Sequence, residues 1–261
     1  MPELPEVEIF TRYFARHALH QRIERVHVRD ERILADIRKE TFARKLKGHS
    51  FTSVQRHGKH LFADAGGVWL HLHFGMTGDL AYYRDKREEP RFAKIVFDFE
   101  GGGHLAFEDV RLFGLAELIE DPETFIEARG LGADPLAPPF TQAKFASLLA
   151  NRRGAIKSLL MSQDLVAGLG NLYVDEALYQ TNIHPRRTVD RLDATERRAL
   201  FTTMRRILRD AIARHERDAD HPPRFLIHHR EEGERCPRCG GTIRKAVVFG
   251  RTTYFCGTHQ R

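Results

Sequence analysis

The chain predicts an α+β protein, and three patterns carry that prediction. An amphipathic helix opens it, a series of short alternating segments occupies roughly Ile23 to Ile119, and helical periodicity then takes over until a cysteine-bearing hairpin ends the sequence. A length of 261 residues leaves room for one large or two ordinary domains with real cores.

Taken in order, Pro5 suits a first helical turn, Glu6 and Glu8 complement its positive end, and Ile9, Phe10, Tyr13 and Phe14 form an apolar stripe. This places Pro2 and Glu3 at the helix mouth with Glu6 one turn on. Ser50–Val54, Val68–Phe74, Lys94–Phe99 and His104–Phe107 alternate as strands, with Gly66-Gly67 and Gly101-Gly102-Gly103 as turns between them. Strands in series with tight turns suggest a sandwich or a barrel. Four of the 11 prolines fall between Asp121 and Pro139, which reads as a linker. Beyond it Leu200, Met204, Ile207, Leu208, Ala211 and Ile212 keep a helical period, and Asp193 and Glu196 are spaced as a capping box.

Composition narrows the function. The 41% hydrophobic content fits a soluble globular chain, and no apolar run approaches the roughly 20 residues of a membrane span. The acidic N-terminus does not resemble a secretory signal, so a cytoplasmic location with no membrane partner is expected. Net charge is +6, but residues 1–150 hold 21 Lys/Arg against 23 Asp/Glu, whereas residues 151–261 hold 21 against 13. A basic C-terminal half points to a polyanion, most simply nucleic acid.

Three motifs bear chemistry. If Met1 is removed, Pro2 becomes a terminal secondary amine, with a pKa near that of an α-amino group, roughly 7.7–8.0. Such a nitrogen can attack an aldehyde-level carbon and form an iminium, an electron sink, with Glu3 and Glu6 beside it as proton carriers. The second motif is Cys236-x2-Cys239, then 16 residues, then Cys256-x2-His259. All three cysteines of the chain lie in this frame, which matches one structural Zn2+ held by three thiolates and an imidazole; the plain alternative is three free thiols. Between the pairs, Ala246–Phe249 and Thr252–Phe255 read as strands with Gly250-Arg251 at the tip, where Arg251 could reach a phosphate or simply be solvated. The third motif, Gly168-Leu169-Gly170-Asn171 before a helix-like run, is either an ordinary tight turn or an anion-facing helix start, with Lys157 on the preceding helical segment.

The opening Pro2–Glu8, the Gly58-Lys59 step, His73-Phe74-Gly75-Met76-Thr77-Gly78, Asp109-Val110-Arg111-Leu112-Phe113-Gly114, the Gly168–Glu176 turn and the terminal hairpin occur in one order. This set resembles the formamidopyrimidine-DNA glycosylase / endonuclease VIII family of DNA repair enzymes over nearly the whole chain. Leu4 makes it more similar to the formamidopyrimidine branch, since the other usually has glycine there.

The resemblance implies a bifunctional DNA glycosylase and abasic-site lyase. Its fold would be an N-terminal β-sandwich with a leading helix, followed by a helix–two-turn–helix domain and a zinc hairpin. The corresponding ranges are 1–120, a linker over 121–140, 141–225 and 230–261. It implies Pro2 as nucleophile, Glu3 as acid/base, Glu6 in support and Lys59 near the scissile phosphate. His73, Asn171 and Arg251 would hold phosphates, with Lys157 expected beside them. Met76, Arg111 and Phe113 would fill the gap left by an extruded nucleotide, although without the family Met76 and Phe113 read as ordinary core residues. The partner would be double-stranded DNA with a damaged base or abasic site, lying between the two main domains of a monomer, with no diffusible cofactor.

Two departures stand out. His259 occupies a ligand position where the family most often has cysteine. The stretch His215–Arg235 is shorter than the lesion-capping loop usual in the formamidopyrimidine branch, which leaves oxidised pyrimidines or abasic sites as an alternative to oxidised or ring-opened purines. A non-catalytic damaged-DNA-binding zinc protein is the reading from another class, and a tautomerase using Pro2 as a base is a third.

Overall fold

The computed structural model describes residues 2–261, so the expected removal of Met1 concerns a residue outside the described range. The chain forms two compact units, one ending at Gly130 and one spanning Leu131–Arg261.

The first unit opens with α1 (Leu4–Ala18), capped at Glu3 and carrying Pro5 in its first turn. It continues through β1 (Ile23–Val28), α2 (Lys39–Leu46), β2 (Ser53–His57), β3 (His60–Asp64), β4 (Trp69–His73), β5 (Gly78–Tyr83), β6 (Ala93–Phe99), β7 (His104–Asp109) and β8 (Leu115–Ile119) to α3 (Pro122–Ala128). The strands form two antiparallel sheets, ordered β1-β6-β7-β5 and β2-β3-β4-β8. Phe14 of α1, Leu61 and Leu72 of one sheet, and Phe97 and Phe107 of the other share a single core, so the architecture is a sandwich rather than a barrel.

Two local expectations shift. The strand expected at Ser50–Val54 begins at Ser53 and runs to His57, because Phe51 bridges back to Leu19 and is packed into the core instead. The stretch read as a linker begins with α3: Asp121 caps it, accepting from Thr124 N–H at 2.8 Å, and Pro122 starts it.

The second unit contains α4 (Gln142–Leu149), α5 (Ile156–Met161), α6 (Asn171–Gln180) and the long α7 (Ala194–His215), then the hairpin β9 (Ile243–Val248) and β10 (Arg251–Cys256). The Asp193/Glu196 capping box forms as expected, and Leu200, Met204, Ile207, Leu208, Ala211 and Ile212 are the buried face of α7. Tyr173 through Tyr179 are all buried, so α6 is the central helix of the unit. Among the described residues no helix is long and apolar enough to cross a membrane.

Candidate active site and nucleic-acid interface

The helix mouth is tightly organised. Glu3 is only 3% exposed at the N-cap of α1, and its backbone N–H donates to Glu6 Oε2 at 2.8 Å. Pro2 directly precedes it and is half-buried. One turn further, Glu8 accepts from Arg56 Nε and Arg12 Nε, each at 2.9 Å, and Arg56 also donates to the Gly58 carbonyl at 3.1 Å. Burial works to raise the Glu8 pKa, but the Arg56 and Arg12 guanidiniums outweigh it and hold the carboxyl below its ordinary value. This ion pair fastens α1 to the two-residue turn between β2 and β3, where Gly58 takes φ +57° and Lys59 follows.

His73 ends β4, and its Nδ1 accepts from Gly75 N–H at 3.3 Å, which leaves the ring proton on Nε2 as a donor. Behind it lies an imidazole chain that sequence reasoning did not single out. Glu117 accepts from His71 Nδ1–H at 2.9 Å, and the His71 Nε2 so freed accepts from His60 Nδ1–H at 2.9 Å. The His60 ring packs on those of His71, His73 and Phe125. Burial, reinforced by neighbouring histidines and Lys59, pushes His60 down to about 2 and His73 down to about 4, so both are neutral. The separation in sequence between His60 and Glu117 leaves no local signal for this chain.

Two loops then present the expected gap-filling set. Met76 and Phe113 are 41% and 55% exposed, the reverse of the core placement their chemistry alone suggests. The Arg111 guanidinium lies 4.8 Å from the Phe113 ring centroid. Both loops hang on the wholly buried Asp109. It accepts from Thr77 Oγ1 at 2.5 Å, from Arg111 N–H at 3.0 Å and from Gly114 N–H at 2.6 Å. Gly75 is required here: a Cβ would come within 2.3 Å of the Phe113 backbone. Asp109 appeared in the sequence only as part of a motif, and its organising role emerges from the fold.

In the second unit, Asn171 begins α6 after the Gly168 turn, which Gln163 closes by accepting from Gly168 N–H at 2.9 Å and donating to the Leu169 carbonyl at 2.8 Å. The Asn171 amide donates to the Thr252 carbonyl at 2.9 Å, joining the helix start to β10. Lys157 departs from expectation. Its side chain is completely buried, and its ammonium donates to Asn171 Oδ1 at 2.6 Å, Asp175 Oδ1 at 2.5 Å and Thr253 Oγ1 at 2.7 Å. With three oxygens around its ammonium in the free protein, Lys157 braces the Asn171 turn against the hairpin. Asp175 takes a second cation, Arg230 Nη1 at 3.0 Å. Arg251 is exposed and starts β10 opposite Val248, and the two-residue apex is Phe249-Gly250, one position earlier than expected.

Cys236, Cys239, Cys256 and His259 bring one donor atom each to within 4.8 Å of one another. Bonds of about 2.3 Å to a tetrahedral zinc put sulfurs about 3.8 Å apart; here Cys239 and Cys256 Sγ are 3.5 Å apart, and His259 Nδ1 lies 3.3 Å from Cys239 Sγ and 3.7 Å from Cys236 Sγ. The other ring nitrogen, Nε2, lies 3.4 Å from the Tyr179 carbonyl, an acceptor, so Nε2 carries the proton and Nδ1 is left to bind metal. Gly241 N–H and Thr258 N–H approach the Cys239 and Cys256 sulfurs at 3.4 Å as donors. The donor set fits one structural zinc, with histidine filling the fourth corner.

Comparison with known proteins agrees with this geometry. Residues 1–116 match the formamidopyrimidine-DNA glycosylase N-terminal domain, 131–220 the formamidopyrimidine-DNA glycosylase H2TH domain, and 233–258 the zinc finger found in FPG and IleRS. A formamidopyrimidine-DNA glycosylase of Symbiobacterium thermophilum is 36% identical, covering 98% of this chain and 88% of its own length. One of Streptococcus pneumoniae is 34% identical over 100% of this chain and 99% of its own. A solved structure of the Lactococcus lactis formamidopyrimidine-DNA glycosylase, non-covalently bound to DNA containing an AP site, superposes with a TM-score of 0.87 at 29% identity over 99% of both chains. Three domain matches in sequence order and full-length relatives above 30% identity lead to one assignment: the chain belongs to the formamidopyrimidine-DNA glycosylase family.

Proposed function

We infer that this protein is a bifunctional DNA glycosylase and abasic-site lyase of base excision repair. The observation that carries the reading is the exposed Met76, Arg111 and Phe113 set, held rigid by Asp109 in the same unit as the Pro2-Glu3 helix mouth. A monomer that only needed a core would bury those side chains. An enzyme working at C1′ must extrude a nucleotide at a cost of a few kcal/mol, and an apolar wedge, a stacking ring and an arginine for the widowed base offset it.

In the reaction, the Pro2 nitrogen attacks C1′ and the damaged base leaves with its bonding pair, taking a proton as it departs. Glu3 serves as the acid/base that opens the sugar, giving an iminium between Pro2 and C1′, and Glu6 holds the Glu3 backbone. The iminium acidifies C2′; loss of that proton expels the 3′ phosphate, and a second elimination releases the 5′ phosphate. Lys59 and the His73 Nε2–H serve as phosphate donors in the first unit, Asn171 and Arg251 in the second. Zinc holds the hairpin and takes no part in the chemistry.

For the lesion, oxidised or ring-opened bases are the class proposed. The segment after α7 is short, and its 3₁₀ turn at Leu226–His228 is pinned by Ile227 N–H donating to the buried Glu176 at 3.1 Å. The short segment weighs against 8-oxoguanine within that class, with oxidised pyrimidines or abasic sites as the alternative.

Borohydride should trap a covalent adduct with abasic or lesion-bearing duplex. Pro2→Gly should slow trapping by orders of magnitude, and Glu3→Gln should stop base excision while retaining lyase action on a pre-formed abasic site. Undiminished trapping in Pro2→Gly, or full excision by Glu3→Gln, rules the mechanism out. A panel of oxidised purine, ring-opened purine, oxidised pyrimidine and abasic duplexes ranks the lesions.

A further inference from the structure

The apex of the β9–β10 hairpin carries two unfavourable features at one residue. Phe249 occupies the first position of the two-residue turn at φ +51°, followed by Gly250 at φ +66°, and its side chain is 63% exposed. Two successive positive φ values define a type I′ turn, for which Asn, Asp or Gly are the favoured residues. Gly250 fits that rule. A bulky aromatic residue does not, because its Cβ crowds the backbone in the left-handed region.

The hairpin itself does not require that ring. The metal ligands lie at the other end of the strands, where Cys256 closes β10, and the Val248–Arg251 pair that flanks the apex uses backbone groups only. Asparagine would satisfy the same turn with less strain and no apolar exposure. Position matters too. Phe249 stands two residues from Arg251, the exposed arginine read above as a phosphate contact. Val247, 65% exposed, pairs with Thr252 on the opposite face from Arg251 and is not part of the feature.

We propose that Phe249 is a DNA-contacting residue of this chain, an apolar tip that lies against sugars and base edges in a groove beside the phosphate held by Arg251. The inference rests on the DNA-glycosylase reading and deepens it. Strain and exposure in the free protein are then the cost of a contact made only in the complex. A ring contributes apolar contact without releasing counterions, whereas Arg251 contributes through charge.

The test compares full-length, zinc-loaded wild type with Phe249→Asn and Arg251→Ala, measuring thermal stability and affinity for an abasic-site duplex across a salt series. Phe249→Asn should melt at or above the wild-type temperature yet bind roughly tenfold more weakly at every salt concentration, with the salt slope unchanged. Arg251→Ala should weaken binding and lower the slope by about 1. Wild-type affinity in Phe249→Asn overturns the proposal, as does weaker binding accompanied by a lower melting temperature, which would make the ring merely structural. If wild-type protein neither binds the duplex in a salt-dependent way nor forms the borohydride adduct, the glycosylase reading itself falls, separately from the role of Phe249.

Discussion

Single residues here carry loads that their chemistry alone does not announce. Asp109 gathers three donors from two loops, so Asp109→Asn loses at least one of them and places an amide N–H against the Gly114 N–H. The substitution should cost about 1–3 kcal/mol in denaturant unfolding and slow borohydride trapping as the Met76 and Phe113 loops loosen; unchanged trapping would separate loop order from activity. Lys157 is the counterpart in the second unit. Lys157→Met leaves Asp175 buried with only Arg230 as a cationic partner and should destabilise by about 3 kcal/mol, with Asp175→Leu added in the same chain recovering part of the loss. A wild-type unfolding midpoint for the single variant would refute the bracing role. Both aspartates could be read as motif members from the sequence, but their donors are brought together only by strand pairing and helix packing.

Elements show a similar division. The α7 helix was legible to its cap because a helix period and a capping box are local patterns. The sheet β2-β3-β4-β8 was legible as strands, whereas the stack of His60, His71 and His73 across it depends on register, which pairs His60 with His73 and His71 with Glu117. This stack makes a pH prediction. The folded state holds His60 and His73 well below the ordinary histidine value of 6.5, while the unfolded chain protonates them normally. Their contribution to stability is therefore complete above about pH 6.5 and is lost as pH falls, through about 4 for His73 and on toward about 2 for His60. His71, Glu117, Arg129, His57 and Lys59 face the same cluster and are common to both proteins compared. The denaturation midpoint of wild type should thus fall more between pH 7 and pH 5 than that of His60→Phe, and parallel losses would show that His60 is not held neutral.

At the scale of the whole molecule, the two units differ in what sustains them. The first rests on a sandwich core shared by both sheets and α1. The second ends in a small cluster of Tyr179, Leu226, Cys236, Ile243 and Cys256, too few apolar residues to hold a hairpin without its metal. Prolonged chelation should therefore melt the hairpin and abolish duplex binding, while the unfolding transition of the first unit stays in place. Calorimetry on apo and zinc-loaded protein checks this, and a chelated protein that retains full DNA affinity would contradict it.

The amino-acid order alone determined the α+β class, the leading helix, the cysteine and histidine chelate and the family, because helix period, strand alternation and ligand spacing are set by neighbours in the chain. Tertiary structure decided which side chains meet water and which do not. It exposed Met76 and Phe113, buried Lys157 between Asn171, Asp175 and Thr253, and moved the hairpin apex to Phe249-Gly250. Burial and register arise from contacts between residues far apart in sequence, and no local pattern encodes them.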